Sequence, residues 1–219
     1  MKSQNQSLQS AYAVIDLETT GLNPSLDEIL EIAVIQLDYE LNTVAKWSTL
    51  IKPSGKVQGT KIHGITDDDV KDAPSLTEVS QKLLSQIRGK ILVAHNANFD
   101  SSFLQKFSPV LPAFKALTRK NFVCTMEQSY LYTPPGSHSL FNLAKRLGLP
   151  NIPTTQHRAE ADASVTAELF RWLVTQESQK LRFLDTATNR QGAIIYPASW
   201  KYTPPFVPVP VPEQFQLDF

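Results

Sequence analysis

The chain has 219 residues, of which 42% are hydrophobic and 19% charged, the balance of a globular protein large enough to bury a substantial core. Lys plus Arg equals Asp plus Glu at 21 each, which excludes the global basic field expected of a tight duplex binder. The single cysteine, Cys124, excludes an intrachain disulfide and leaves a Zn²⁺ site short of ligands, so a reducing compartment and a buried structural thiol are the simpler reading.

Residues 1–10 are rich in Ser and Gln and lack a long apolar stretch, so they read as a flexible N-terminus with neither a secretion signal nor a membrane span. Cytoplasm follows as the default compartment. Residues 12–16, 29–38 and 43–51 read as three strands of a meander, the last two joined by a hairpin at 38–42. Ser75 and Glu78 form a capping box that opens a helix to Ile87, and residues 90–94 give another buried strand. Asp100 is placed as the N-cap of a helix over 101–107. Further helices are expected at 125–131, 139–147 and 158–175, followed by a short strand-like patch at 193–196.

Acids fall where apolar packing predicts none. The run Tyr12-Ala13-Val14-Ile15 ends in Asp16-Leu17-Glu18, and alternation along a strand puts Asp16 and Glu18 on the face of Tyr12 and Val14. Two anions at that spacing repel each other and call for a cation between them. Asp162 lies on the helical stripe that passes through Thr166, Leu169 and Leu173, so its carboxylate faces the core unless something neutralises it. His157, five residues earlier, stands at the helix start, free of helical geometry. Taken singly, Asp16 and Glu18 also fit a solvated strand end, Asp100 an N-cap and His157 a capping residue. Jointly the four acids fall at element ends or on buried faces, where one cleft can collect them.

These three strings resemble the motifs of the DEDDh exonucleases, the DnaQ-like group that includes proofreading subunits of bacterial replicative polymerases, ribonuclease T and oligoribonuclease. The resemblance covers roughly residues 11–175: Asp16 and Glu18 match the first motif, Asp100 the second and Asp162 the third, with His157 as the histidine that marks this branch. It implies an α/β, ribonuclease-H-like fold with a mixed sheet flanked by helices. It also implies a metal-dependent 3′-to-5′ exonuclease in which Asp16, Glu18, Asp100 and Asp162 bind two divalent cations, Mg²⁺ or Mn²⁺, and His157 is the general base. Hard ions bound through oxygen suit four carboxylates, and an imidazole suits proton transfer near neutral pH. By the same resemblance Thr20, Gly21 and Leu22 line the pocket of the terminal nucleotide, a glycine turn being the alternative reading. Asn98 and Phe99 are candidates to contact the sugar and stack with a base, and His63 is a candidate substrate contact from its loop; a core Phe99 and a structural His63 are the alternatives.

The domain organisation read from the chain is a flexible segment at 1–10, an exonuclease domain at 11–175 and a C-terminal extension at 176–219. Alternating Val and Pro at 202–212 favours an extended spacer. Gln214, Leu217 and Phe219 resemble the short peptide by which bacterial replication proteins bind the sliding clamp. The expected partners are therefore nucleic-acid 3′ ends, with single-stranded DNA favoured and RNA second, and a sliding clamp or DNA polymerase. The Thr-Thr-Gly turn after the first motif is the ground for preferring DNA. The alternative is a non-catalytic module of the same fold that binds nucleic-acid ends or assembles a polymerase.

Overall fold

The computed structural model describes residues 10–134, 136–153, 157–178, 187–188 and 194–195. Strands β1 (Tyr12–Thr19), β2 (Ile29–Leu37), β3 (Thr43–Leu50), β4 (Ile91–Ala94) and β5 (Phe122–Cys124) form one sheet in the order β3-β2-β1-β4-β5. The first three strands pair antiparallel as a meander, while β4 and β5 add in parallel on the other side of β1. Two short strands, β6 (Ala187–Thr188) and β7 (Ile194–Ile195), pair separately.

Helices α1 (Thr60–His63), α2 (Asp67–Val70), α3 (Leu76–Ile87), α4 (Ala97–Leu104), α5 (Thr125–Tyr132), α6 (Leu140–Leu147) and α7 (Ala159–Ser178) surround the sheet. The central strand β1 is covered on both faces, which is why its sequence is a continuous apolar run instead of an alternating one. Tyr12 and Val14 pack toward α5, α6 and α7, where Phe170 meets the Tyr12 ring edge-on at 5.1 Å. Ala13, Ile15 and Leu17 face α3 and α4, with Leu83, Phe103 and Phe107 beneath them. Each such aliphatic or aromatic side chain contributes about 1.5–3 kcal/mol on full burial.

Helix α3 starts where the capping box puts it: Ser75 N–H donates to Glu78 Oε2 at 2.7 Å, and Glu78 N–H donates to Ser75 Oγ at 3.3 Å. The start of α4 differs from the sequence expectation. Asn96 takes a left-handed conformation (φ 65°), which Asn tolerates better than most residues, and the helix begins at Ala97. Asp100 therefore lies buried in the first turn instead of capping it, and residues 105–107 continue as a 3₁₀ turn.

Parallel pairing of β1 with β4 brings their carboxyl ends to the same end of the sheet. The antiparallel ladder sets Glu18 opposite Glu31, at the start of β2. Helix α7 lies across the meander with its N-terminus at that same end: Ser48 Oγ donates to Glu160, and about three turns further on Arg171 Nε donates to the Leu41 carbonyl at 2.8 Å. Strand end, helix α4 and the first turn of α7 thus converge on one cleft.

Candidate active site

Strand β1 extends to Thr19, so Asp16 and Glu18 both stand on strand backbone and share the face turned toward α7. Asp162 sits in the first turn of α7 and Asp100 in the first turn of α4. Glu18, Asp100 and Asp162 are buried, whereas Asp16 keeps part of its surface open. One ligand atom each from Glu18, His157 and Asp162 lies within 4.8 Å of the others.

Repulsion links the four acids, with Asp16 facing each of the other three. Burial pushes the Asp16 carboxyl well above the usual carboxylate range, and repulsion from Asp100, Asp162, Glu18 and Glu31 adds to it. Glu18 is pushed up to about 8, first by burial and then by Asp162 and Glu31, with Arg158 opposing. Asp100 is raised by burial and by Glu18, against its own main-chain N–H. Asp162 rises to about 6 through burial, held back by His157 and the N–H that His157 donates to it. A buried group of like charges is costly unless cations compensate it. The donor set, carboxylate oxygens with one imidazole, fits a hard divalent cation.

His157 is exposed and takes a left-handed backbone conformation (φ 59°) two residues before α7. Its main-chain N–H donates to Asp162 Oδ1 at 3.2 Å, so this residue and the carboxylate five positions later are tied together. Beside them, Arg158 donates to Glu31 from Nε at 3.1 Å and from Nη2 at 2.9 Å, and Ala159 N–H donates to the same carboxylate at 3.0 Å. Sequence reasoning missed Glu31. The signal available was a lone acid inside the apolar run of β2, which asks for a buried partner.

The substrate-side residues fall into two groups. Thr20 Oγ1 donates to Asp27 and accepts from Glu28 N–H, closing the loop after β1. Gly21 makes a close approach there: a Cβ at this position would lie 2.5–2.6 Å from the Asp27 carboxylate, which would have to shift. Leu22, two residues further, is 84% exposed. Asn98 is exposed and Phe99 is half-buried, its ring 4.8 Å from that of Phe103. His63 is buried, with Nε2 against the Gln58 carbonyl at 2.9 Å and Nδ1 accepting from Ile65 N–H at 3.1 Å. Both its ring nitrogens are engaged within its own turn. His95, left out of the chemistry on sequence grounds, bridges Thr125 Oγ1 and the His138 carbonyl. Gln214, Leu217 and Phe219 lie outside the described residues.

A mixed sheet whose parallel strands end at a cluster of carboxylates defines a nuclease of the ribonuclease-H-like fold. The exonuclease family model matches residues 13–170, and the chain belongs to that family, the DnaQ-like exonucleases. Its members use divalent metal ions, and Glu18, His157 and Asp162 form a cluster fit to hold one.

Among similar proteins, a DNA polymerase III subunit epsilon from Treponema pallidum is 34% identical over 174 residues, 78% of this chain and 79% of its own length. A PolC-type DNA polymerase III from Thermotoga petrophila is 32% identical over 200 residues, 90% of this chain. The chain spans 14% of the length of that polymerase. Exonuclease X, solved in complex with 5′ overhanging duplex DNA, superimposes with a TM-score of 0.61 at 26% identity, covering 76% of this chain and 93% of the other. E. coli Exonuclease I shares the fold, with a TM-score of 0.66 at 21% identity over 78% of this chain and 42% of its own. Among the described residues, no helix is long and apolar enough to cross a membrane.

Proposed function

We propose that this chain is a 3′-to-5′ exonuclease that removes nucleotides from single-stranded DNA ends and releases nucleoside 5′-monophosphates in replication or repair. The observation that carries this reading is the convergence of Glu18, His157 and Asp162 within 4.8 Å at the end of the central strand. Asp16, Glu18, Asp100 and Asp162 would hold two divalent cations, Mg²⁺ or Mn²⁺. When bound, such cations supply Lewis acidity at the phosphate and lower the pKa of water.

The chain's own residues do the rest. A ring nitrogen of His157 takes the proton of the attacking water as its oxygen bonds to phosphorus and the 3′ oxygen departs. Asp162 accepts the His157 main-chain N–H and so ties the backbone of that residue to the group of acids. Leu22 is an exposed apolar side chain at the loop after β1, suited to wedge against the terminal base, while Thr20 and Gly21 shape that loop and Asn98 and Phe99 stand in the first turn of α4. DNA is supported over RNA by the likeness to a polymerase subunit and to Exonuclease X.

The test uses 3′-labelled single-stranded DNA and RNA of matched sequence, with Mg²⁺, with Mn²⁺ and with EDTA. Stepwise loss of mononucleotides from DNA that EDTA abolishes supports the reading. Binding of 3′ ends without hydrolysis in either metal overturns it in favour of a non-catalytic end-binding module, and faster cleavage of RNA overturns the DNA preference. The peptide containing Gln214, Leu217 and Phe219 belongs to the same proposal, as a docking segment for a bacterial sliding clamp that keeps the nuclease at the replication site in the cytoplasm.

A further inference from the structure

Glu31 is the one charged residue of β2, and it is buried directly opposite Glu18 in the β1–β2 ladder. Like charges placed so are mutually destabilising, and a buried carboxylate in that position needs strong donors. Among the described residues its three donors come from the residue before α7 and the first residue of α7: Arg158 through Nε and Nη2, and Ala159 through its N–H. The arginine fork matches a carboxylate in two parallel bonds and so fixes orientation as well as distance.

We propose that Glu31 is a positioning residue: by gripping Arg158 and Ala159 it pins the turn that carries His157 to the sheet, and so sets the His157 ring against Glu18. This rests on the reading of His157 as the base. The left-handed conformation of His157 disfavours itself in a residue with a Cβ and persists only where its surroundings hold it. On one side its N–H is bound by Asp162, and on the other the next two residues are bound by Glu31. Arg158 is half exposed, so its charge is partly screened, and the geometry of the pair carries the role.

The experiment compares Glu31→Gln and Arg158→Lys with the intact full chain, and places Glu31→Gln also in a His157→Ala background. On labelled single-stranded DNA with Mg²⁺, either single substitution should lower kcat about tenfold to a hundredfold and move KM less than about threefold, the range of a residue that orients a reacting group. In the His157→Ala background the added Glu31→Gln should change kcat less than about twofold, because the positioned group is gone. Mn²⁺ affinity without DNA should stay within about threefold of wild type, while hydrogen exchange at residues 157–162 should rise about tenfold in Glu31→Gln.

Full additivity with His157→Ala, or a loss of Mn²⁺ affinity equal to the loss of kcat, would show that Glu31 acts through its charge on the metal site and overturns the proposal. Unchanged exchange at 157–162 overturns it as well. A wild-type rate for His157→Ala alone overturns the base assignment instead, and the exchange data then decide whether Glu31 pins the turn.

Discussion

Asp16, Asp100 and Asp162 come from three different elements, yet Asp16 feels the charge of both others. Asp→Asn at any of the three should nearly abolish hydrolysis in Mg²⁺ while leaving the metal-free protein as stable or slightly more so, since one anion of a crowded set is gone. Near-full activity in any of them would refute the four-carboxylate assignment. His157→Ala should lower kcat about a hundred- to ten-thousandfold, the usual contribution of a general base, with far less effect on oligonucleotide binding. A matched loss in binding would assign the histidine to substrate contact. The same acids link stability to pH. Glu18 and Asp162 hold protons more tightly folded than unfolded, so their stabilisation is complete below the ordinary carboxylate range and lost as pH rises through about 6 for Asp162 and about 8 for Glu18. In EDTA the melting temperature should therefore fall between about pH 5 and about pH 9, and saturating Mn²⁺ should remove most of that fall. A flat profile in EDTA would show that the carboxylates are not crowded.

Helix α7 links core packing to chemistry. Its buried stripe, Val165, Leu169, Phe170 and Leu173, docks on β1 and β2, and the same rigid rod presents Asp162 at the end of the sheet. Phe170→Ala would remove the ring that meets Tyr12 and should cost about 3–5 kcal/mol in chemical denaturation, the range for a buried Phe truncation. A cost under about 1 kcal/mol would mean that the helix is held by its polar ties, such as Arg171 to Leu41, and not by the apolar stripe. Helix α4 works likewise on the opposite face, where Phe103 and Leu104 anchor it below Asp100.

At the scale of the whole molecule, a nuclease domain that covers most of the chain is joined in sequence to a Val-Pro segment at 202–212 and the Gln214, Leu217, Phe219 string. Binding of such a short peptide raises the local concentration of the nuclease at its site without adding contacts to the substrate. Deleting residues 214–219 should leave hydrolysis of short oligonucleotides unchanged and lower it only on primer-template loaded with a bacterial clamp. Equal impairment on both substrates, or no measurable binding of a peptide of residues 212–219 to the clamp, would assign the segment to the nuclease itself.

The meander, the capping box at Ser75 and the stripe of α7 are legible in the chain because each depends on neighbours in sequence: alternation, a four-residue cap, a helical period. The four acids stood out as candidates for a related reason, since carboxylates at strand ends and on apolar stripes conflict with local packing wherever they occur. What sequence could not decide is how those elements meet. The early start of α4 follows from the backbone of Asn96, and the three-residue strand β5 is too short to show a period, taking its place from pairing with β4. The role of Gly21 comes from the Asp27 carboxylate packed against it, not from an unusual dihedral. Above all, the grip of Glu31 on Arg158 and Ala159 joins residues more than a hundred positions apart, and only the tertiary structure brings them within hydrogen-bond reach. Local pattern determines which residues conflict with a simple core; the packing of sheet against helix decides which of those conflicts is resolved by a partner in the protein and which is left open to the cleft.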